Sequence, residues 1–272
     1  MLTSLTIERR SELEATASRL RAAYAGRPIA PLRSVLEPTD QDGAYFIQRL
    51  NTEHWLAEGR RISGRKIGLT AEAVQRQLGV DQPDYGVLFA DMEIEDGGVL
   101  DSKLVLQPKA EAEVAFVLGK DLDAPGATAG EVAAAVDYAV AAIEIVDSRI
   151  ADWKITFADT VADNGSSSHY VLGQERRRLQ GLDLWSCGMV MEVGGKIASL
   201  GAGAACLGHP LEAAAWLART MAAAGEPLRA GAVLLSGALG PMVALSPGQH
   251  VRATIGGLGR VSLNYGEGRG HE

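Results

Sequence analysis

The chain has 272 residues, 47% of them hydrophobic, and a formal net charge of −8. This length and composition allow a sizeable buried core and exclude a disordered or fibrous protein. The acidic balance, with a pI near 5.2, argues against nucleic acid as the main partner, because phosphate binding is driven by clustered lysine and arginine.

Helical periodicity dominates the first 60 residues. Residues 5–24 form one amphipathic segment, and Thr39 is the predicted N-cap of a second helix that runs through Leu56. Pro28 and Pro31 separate the two segments. We therefore predict a helical N-terminal region at residues 1–60.

Beyond residue 60 the pattern changes to short β-branched runs that are broken by glycine, aspartate and proline. These runs predict strands at residues 65–69, 87–89, 104–106, 114–118, 140–146, 233–236, 242–245 and 251–255, with residues 257–261 leading to a last one. Helical spacing recurs at residues 71–78, 129–138 and 210–224. The order of elements predicts an α+β fold with a largely antiparallel or mixed sheet, in a β-rich domain at residues 61–265. The polar, glycine-rich residues 266–272 predict a flexible tail.

Three features of the chain indicate where in the cell the protein is found. Three glutamates within residues 1–21 argue against a signal peptide. The longest uncharged stretch, residues 230–251, is interrupted by prolines and polar residues and does not suit a membrane span. Cys187 and Cys206 lack metal-type spacing, so we interpret them as reduced core residues. Together these features predict a cytoplasmic protein.

Three glutamates lie in apolar segments that are typical of strands. Glu111 and Glu113 stand in residues 110–118, and Glu144 stands in residues 141–146. Because side chains at i and i+2 share one strand face, Glu111 and Glu113 should project into the same space. An uncompensated buried carboxylate is costly or takes up a proton, so three together indicate a hard divalent metal such as Mg²⁺ or Mn²⁺. On the pattern alone, a solvated face with Lys109 or Arg149 as ion-pair partners is the alternative.

Other polar residues stand in places where a ligand could approach. Lys66 lies in the glycine-flanked segment 64–70, and Asp84 lies in a loop bracketed by proline and glycine. In isolation they are typical of an exposed lysine and a turn former. The polar loop at residues 161–168 offers hydroxyl and backbone N–H groups to a substrate carboxylate, or caps a helix.

Taken together, these segments resemble the 2-keto-4-pentenoate hydratase (2-hydroxypentadienoate hydratase) family of the fumarylacetoacetate hydrolase superfamily. The similarity runs from about residue 28 almost to the C-terminus, and several motifs in the right order are more specific than any one of them. The matching segments are GRKIGLT at 64–70, QLGVDQPDYGVLFADM at 77–92, QPKAEAEVAF at 107–116, EIVDSRIADW at 144–153, DTVADNGS at 159–166, LGHPL at 207–211 and GALGPM at 237–242.

The resemblance implies a mixed β-sheet roll with flanking helices and a small helical N-terminal region, in a cytoplasmic homo-oligomeric enzyme. It implies that Glu111, Glu113 and Glu144 ligate Mg²⁺ or Mn²⁺, and that Lys66 and Asp84 serve catalysis. It also implies a small-molecule 2-hydroxydienoate or 2-oxo acid substrate from the catabolism of aromatic compounds. A downstream aldolase, to which the product is channelled, is the candidate protein partner, with neither nucleic acid nor membrane involved.

The reaction implied is hydration of 2-hydroxypenta-2,4-dienoate to 4-hydroxy-2-oxopentanoate. A Lewis acid stabilises negative charge on the 2-oxygen, which favours the 2-oxo-3-ene tautomer and lets water add at C4. Lys66 would share the developing charge, and Asp84 would move protons at C3 or C5 or orient the water. Ser166 and Ser236 would hold the carboxylate end.

Three other interpretations stay open. A 4-oxalocrotonate decarboxylase, from a sister family with the same E-x-E pair, ADN-x-S loop and LGHPL segment, would lose CO₂ from the same enolate. A hydratase of a longer dienoate, such as 2-oxohept-4-ene-1,7-dioate, would differ only in the substrate tail. A non-catalytic metal-binding protein could keep the fold, but the joint presence of Lys66, Asp84 and the three glutamates argues against it.

Overall fold

The structure is a computed structural model, and it describes residues 6–266. Its α-helices are α1 (Ile7–Ala23), α2 (Gln41–Ala57), α3 (Glu72–Leu78), α4 (Ala129–Ala135), α5 (Phe157–Ala162) and α6 (Pro210–Ala223). Its strands are β1 (Ile62–Gly68), β2 (Asp84–Phe89), β3 (Glu93–Ile94), β4 (Val99–Asp101), β5 (Pro108–Leu118), β6 (Val136–Asp147), β7 (Ser167–Leu172), β8 (Gly188–Val193), β9 (Lys196–Ala202), β10 (Val233–Ala238), β11 (Val243–Ala244), β12 (His250–Ile255) and β13 (Gly259–Gly266).

The strands form two sheets. The larger has the order β2-β1-β10-β5-β6-β7-β3, with the short β11 also paired to β5, and the smaller has the order β4-β13-β12-β8-β9. Most neighbours are antiparallel, but β1 and β10, β3 and β7, and β4 and β13 are parallel. These mixed sheets with flanking helices confirm the predicted α+β class.

The main core joins side chains from both sheets to the apolar face of α6. It includes Phe116 on β5, Met191 on β8, Val251 on β12 and Leu217 on α6, all fully buried. Burying a side chain of this size contributes about 1.5–3 kcal/mol to folding. The long hairpin of β5 and β6 crosses this core, so the glutamates that it carries lie at the centre of the larger sheet.

A second core packs the N-terminal helices against α5. Leu20 on α1, Ile47 on α2 and Phe157 on α5 are buried together in it. Gln48 on α2 donates its side-chain amide to the carbonyls of Tyr85 and Val161, at 3.0 and 2.9 Å. The helical region therefore supports both β2 and α5. The predicted boundary after residue 60 falls between α2 and β1, and the division into two regions stays a prediction.

Three predicted elements differ from the observed ones. The N-cap of α2 is Asp40, not Thr39, because the Asp40 carboxylate accepts the backbone N–H of Gly43. Residues 104–106 are not a strand, since the Asp147 carboxylate accepts the backbone N–H of Leu106 at 2.9 Å in place of a neighbouring strand. The helix predicted at residues 129–138 ends at Ala135, where the β-branched run of β6 begins.

Two further points concern the ends of the chain and its surroundings. Gly266, the first residue of the predicted tail, ends β13, and residues 267–272 lie outside the described residues. Within residues 6–266, no helix combines the length and the apolar character that crossing a membrane requires.

Candidate active site

The three glutamates predicted from the sequence lie together. Glu111 on β5 is directly opposite Glu144 on β6, and Glu113 lies two residues along β5. Each offers one carboxylate oxygen, and these oxygens lie within 4.8 Å of one another. Glu113 and Glu144 are fully buried, so the solvated-face interpretation is wrong. The structure brings the predicted ligands to a spacing that a single cation can bridge.

This carboxylate cluster has too few partners to balance its charge. One oxygen of Glu113 and both oxygens of Glu144 have no hydrogen-bond partner among residues 6–266. The Lys66 ammonium lies 3.5 Å from Glu144 Oε2, and one ammonium cannot neutralise three carboxylates. Carboxylate oxygens are the ligands that Mg²⁺ and Mn²⁺ prefer. The cluster therefore fits a divalent cation.

Burial raises the pKa of all three glutamates. Burial and the neighbouring Glu144 raise the pKa of Glu111 to about 7, against the attraction of Lys66. Burial, followed by Glu144 and Glu111, raises the pKa of Glu113 well above its ordinary value. Burial also raises the pKa of Glu144, and Lys66 opposes this shift. Without a cation, the cluster holds protons that a metal ion would displace.

Metal-free protein is therefore expected to lose stability as pH rises through neutrality. A carboxyl group whose pKa is higher in the folded state favours folding while it is protonated, and this contribution is lost as pH rises through the folded-state pKa. In EDTA, the free energy of unfolding should fall by about 1–2 kcal/mol between pH 6.5 and pH 8, since one pKa unit corresponds to about 1.4 kcal/mol. Urea titrations at the two pH values measure the change.

The titration of His169 determines the lowest pH at which this comparison should be made. Burial lowers the pKa of His169 to about 4, so its contribution to stability is present above about pH 6.5 and is lost as pH falls. Beginning at pH 6.5 keeps this opposing contribution small. Saturating Mg²⁺ should remove the pH dependence. Equal stability of the metal-free protein at both pH values would contradict the raised pKa values.

A bulge in β10 holds Glu113. The register between β10 and β5 shifts between Leu235 and Ala238, and the backbone N–H of Gly237 in this bulge donates to Glu113 Oε2 at 2.8 Å. Gly237 has a φ of +108°, and a Cβ there would lie 2.5 Å from Thr70, so the position requires glycine. The predicted substrate-binding residue Ser236 is buried in the same bulge, beside the cluster.

Lys66 and Asp84 approach each other across the pair of strands β1 and β2. Gly68 is the register partner of Asp84, and a Cβ on Gly68 would lie 2.2 Å from Asp84 Oδ1 and 3.0 Å from Lys66 Nζ. The two charged groups thus use the space that this glycine leaves. Burial alone would lower the pKa of Lys66, but Glu144 and Asp84, with the other two glutamates, raise it above its ordinary value. Lys66 is therefore a cation at neutral pH.

Asp84 is the second charged group of this pair. It is almost fully buried, and its Oδ1 has no hydrogen-bond partner among the described residues. Burial raises the pKa of Asp84, while the Lys66 ammonium lowers it. A carboxyl group in this setting is prepared to accept or release a proton.

Ser166 lies in a strained loop that covers Lys66. Asn164, Gly165 and Ser166 all have left-handed backbone angles, with φ of 58°, 61° and 53°, a costly conformation for residues other than glycine. A Cβ on Gly165 would lie 3.2 Å from Lys66 Cδ. The loop therefore rests on the lysine stem, and the Ser166 hydroxyl lies 3.2 Å from that of Thr160.

A buried ion pair that the sequence did not reveal anchors this loop. The Arg149 Nε donates to Asp163 Oδ1 at 2.6 Å, and its backbone N–H donates to Oδ2 at 2.8 Å. The Arg149 guanidinium also donates to the carbonyls of Asp163 and Ser167. Arg149 is thus engaged with Asp163, and its predicted alternative role as a partner of the glutamates is wrong.

Asn164 fastens the same loop to β2. Its side-chain carbonyl accepts the backbone N–H of Val87 at 2.7 Å, and its side-chain amide donates to the Val87 carbonyl at 2.9 Å. The backbone carbonyl of Asn164 lies against Gly86, where a Cβ would be only 2.3 Å away. Sequence reasoning noted the residue only within a polar loop. The available signal was an Asn-Gly pair, which tolerates left-handed backbone angles.

An Asn164→Ala variant should lose about 2–4 kcal/mol of unfolding free energy. Two buried backbone groups of Val87 would lose their partners, each costing about 1–3 kcal/mol, and alanine tolerates the left-handed conformation less well than asparagine. Asn264→Ala is the matched control, because Asn264 is exposed and donates to Gly97 at the surface. Urea unfolding of both variants checks this, and equal losses would contradict the anchoring role.

The fold and this geometry agree with known proteins. A model of the fumarylacetoacetate (FAA) hydrolase C-terminal family matches residues 70–264. The chain is 56% identical over 253 residues to 2-keto-4-pentenoate hydratase 2 of Dechloromonas aromatica (strain RCB), which covers 93% of this chain and 97% of that relative. The chain belongs to the 2-keto-4-pentenoate hydratase family. The fold predicted from the resemblance, a β-sheet roll of the fumarylacetoacetate hydrolase C-terminal type with flanking helices, is confirmed.

Two further proteins place this hydratase family member among its relatives. The chain is 54% identical over 252 residues to 2-keto-4-pentenoate hydratase of Paraburkholderia xenovorans (strain LB400), covering 93% of this chain and 94% of that relative. It matches the solved structure of 4-oxalocrotonate decarboxylase from Pseudomonas putida G7, complexed with magnesium and adipate, with a TM-score of 0.90 at 36% identity. That match covers 96% of this chain and 99% of the decarboxylase chain. The hydratase family and this decarboxylase share one fold.

Proposed function

We propose that the protein is a divalent-metal-dependent hydro-lyase that adds water to 2-hydroxypenta-2,4-dienoate, giving 4-hydroxy-2-oxopentanoate in the catabolism of aromatic compounds. The observation that carries the proposal is 56% identity to a protein named 2-keto-4-pentenoate hydratase, over 93% of the chain. The buried cluster of three glutamates, with Lys66 beside it, supports the same reaction.

Glu111, Glu113 and Glu144 are the residues that would hold Mg²⁺ or Mn²⁺. When bound by these residues, such an ion would supply Lewis acidity, which lowers the cost of negative charge on the 2-oxygen of the substrate. The protein's own contribution is to fix these carboxylates on two paired strands, with Glu113 oriented by the Gly237 N–H. Their positions are therefore set before any ligand binds, which avoids reorganisation during the reaction.

Lys66 stabilises the negative charge that develops on the 2-oxygen or on the substrate carboxylate. Its ammonium is buried, charged and held next to Glu144 at 3.5 Å. A fixed cation in a site that excludes water interacts with developing charge more strongly than it would in solvent. The loop at Gly165 packs on the lysine stem and limits its movement.

Asp84 is the group that moves protons between substrate carbons or orients the water. Ketonisation of the dienol removes the 2-hydroxyl proton and adds a proton at C5, and hydration then adds hydroxyl at C4 and a proton at C3. A carboxyl group with a raised pKa next to Lys66 suits both transfers. Ser166 and Ser236, buried on opposite sides of the cluster's strands, would hold the carboxylate end of the substrate.

An ultraviolet assay tests the proposed function. Purified protein is mixed with freshly generated 2-hydroxypenta-2,4-dienoate and Mg²⁺, with and without EDTA, and the product is identified by mass spectrometry. We expect rapid loss of the dienol absorbance, formation of 4-hydroxy-2-oxopentanoate and inhibition by EDTA. Protein that leaves the dienol unchanged at saturating Mg²⁺ would refute the assignment.

The second candidate function is decarboxylation of 2-oxohex-3-enedioate. The TM-score of 0.90 to 4-oxalocrotonate decarboxylase favours it, and the same stabilised enolate would serve it by losing CO₂. The sequence identity is lower, 36% against 56% for the hydratase. Release of CO₂ from this diacid, without hydration of the dienol, would move the assignment to the decarboxylase. Faster hydration of 2-oxohept-4-ene-1,7-dioate would indicate a longer natural substrate.

We also propose a cytoplasmic homo-oligomer that passes its product to an aldolase. Ile197 and Leu200 on the edge strand β9 are 65% and 60% exposed, and a second copy could cover such an apolar edge. The product carries a hydroxyl group β to a ketone, which is the arrangement that a retro-aldol enzyme cleaves. Light scattering tests the assembly, and a monomer at micromolar concentration would exclude it. Transfer to the aldolase is tested with a trap for free product.

A further inference from the structure

Lys109 lies at the open end of the carboxylate cluster. It shares one face of β5 with Glu111 and Glu113, because the three residues alternate along the strand. Glu113 is fully buried, whereas Glu111 and Lys109 are both half-buried. Exposure therefore begins at Glu111 and continues to Lys109, which places this lysine where a ligand enters the site.

The side chain of Lys109 is held by an aromatic ring. Its Nζ lies 4.1 Å from the centroid of the Trp153 ring, a cation–π contact. The Trp153 indole N–H donates to the backbone carbonyl of Gln107 at 3.0 Å. The Gln107 side chain in turn donates to the carbonyls of Ser148 and Ile150 and accepts the N–H of Asp152. Four hydrogen bonds thus fix the ring relative to β5.

The turn that presents Trp153 is strained. Asp152 and Trp153 have φ of 58° and 54°, a left-handed conformation that is uncommon for such residues. Strain of this kind persists only where the surrounding contacts impose it, and it concentrates near ligand sites. Here the contacts that impose it are those of Gln107, and their result is a ring placed against Lys109.

Lys109 has no carboxylate within ion-pair distance among residues 6–266, in contrast to Lys66, which lies beside Glu144. Burial lowers the pKa of the Lys109 ammonium, and the attraction of Glu111, two positions along the strand, opposes this shift. The formal charge of the site, summed over the three glutamates, Asp84 and Lys66, stays negative even after a divalent cation is added. The positive charge of Lys109 brings this sum to zero. Without this lysine, an anionic substrate would approach a site of its own sign.

We propose that Lys109 is a substrate-binding residue whose positive charge attracts the carboxylate of a 2-oxo acid anion from the open end of the site, with Trp153 holding the lysine in place. Ser166 and Ser236 would hold that carboxylate deeper in the site. The proposal rests on the proposed function for the class of ligand. It assigns Lys109 to the affinity for the anion and not to the affinity for the metal. Removal of the charge should therefore weaken anion binding without weakening metal binding.

Isothermal calorimetry on Lys109→Met and Lys109→Arg tests this. In Lys109→Met, the Kd of Mg²⁺ should stay the same or fall by about two- to threefold, since a repelling cation is removed. The Kd values of 2-oxopentanoate and oxalate for the Mg²⁺-loaded protein should rise about tenfold. Lys109→Arg keeps the charge and should stay within about threefold of the wild type for both anions.

Added salt provides an independent readout. The affinity of the wild type for 2-oxopentanoate should fall with ionic strength towards that of Lys109→Met, whose own affinity should change less. Anion affinity that is unchanged in Lys109→Met would overturn the proposal. So would metal and anion binding that weaken together, or a wild type that binds neither anion. Because no turnover is measured, a protein that binds the anions through Lys109 but leaves the dienol unchanged would fail only as a hydratase.

Discussion

A Glu113→Gln variant is expected to lose about a thousandfold in hydratase activity while its metal-free form becomes more stable. Removing one ligand weakens the metal site, whose Lewis acidity lowers the free energy of the charged transition state by several kcal/mol. A loss of about 4 kcal/mol of this stabilisation corresponds to about a thousandfold loss in rate. The amide, however, carries no charge that burial and two neighbouring carboxylates would penalise. We expect the unfolding free energy at pH 8 in EDTA to rise by about 1–2 kcal/mol.

These opposite changes distinguish a metal ligand from a structural residue. Glu53→Gln is the matched control, because Glu53 is exposed on α2 beside Arg49, and it should alter neither quantity. Stopped assays over a range of Mg²⁺ concentrations and urea unfolding in EDTA provide the measurements. A Glu113→Gln protein within tenfold of wild-type activity at saturating Mg²⁺ would refute the ligand assignment.

A Lys66→Met variant is expected to lose about a thousandfold in kcat with little change in Mg²⁺ affinity. Methionine fills a similar volume but supplies neither positive charge nor a proton, and removal of one preorganised charged donor costs about 10²–10³ in rate. Mg²⁺ should bind as tightly as before or more tightly, since a cation 3.5 Å from Glu144 is removed.

Calorimetric titration with Mg²⁺ and a full kinetic analysis separate the two effects. Lys120→Met is the control, because Lys120 is exposed and lies beyond the end of β5, whereas the cluster lies within that strand. Loss of both activity and metal binding in Lys66→Met would point to a collapsed site. Retention of wild-type kcat would remove Lys66 from the reaction.

The sequence predicted the parts of the site that depend on strand alternation. Glu111 and Glu113 share a face because they are two residues apart in an apolar strand, a relation that needs no tertiary information. That Glu144 lies opposite Glu111 depends on the register of a hairpin whose strands are separated by α4. Strand register across such a connection is not encoded in local pattern. The family resemblance implied that Glu144 joins the other two glutamates in one metal site, and the structure supplied the strand register.

Contacts between distant segments could not be predicted from periodicity. Lys66 reaches the cluster only because β10 lies between β1 and β5, and this sheet order has no local signature. Residues 104–106 look like a strand, but the Asp147 carboxylate accepts the backbone N–H of Leu106. Asn164 and Arg149 stand out only when their partners, Val87 and Asp163, are known. Local propensity is overruled in each case by a side chain from elsewhere in the chain.

The central position of β10 also determines when the site can form during synthesis. The hairpin of β5 and β6 can pair as soon as it leaves the ribosome, but β1 has no neighbour on its inner side until β10 arrives near the end of the chain. Until then, β1 and β5 both present open edges, and the three carboxylates lack the lysine that faces them. A chain with such open strand edges is more prone to aggregation before it folds than a protein with local pairing. Mg²⁺ should then slow unfolding of the finished protein without accelerating its folding, because the ligand set is complete only after β10 closes the sheet.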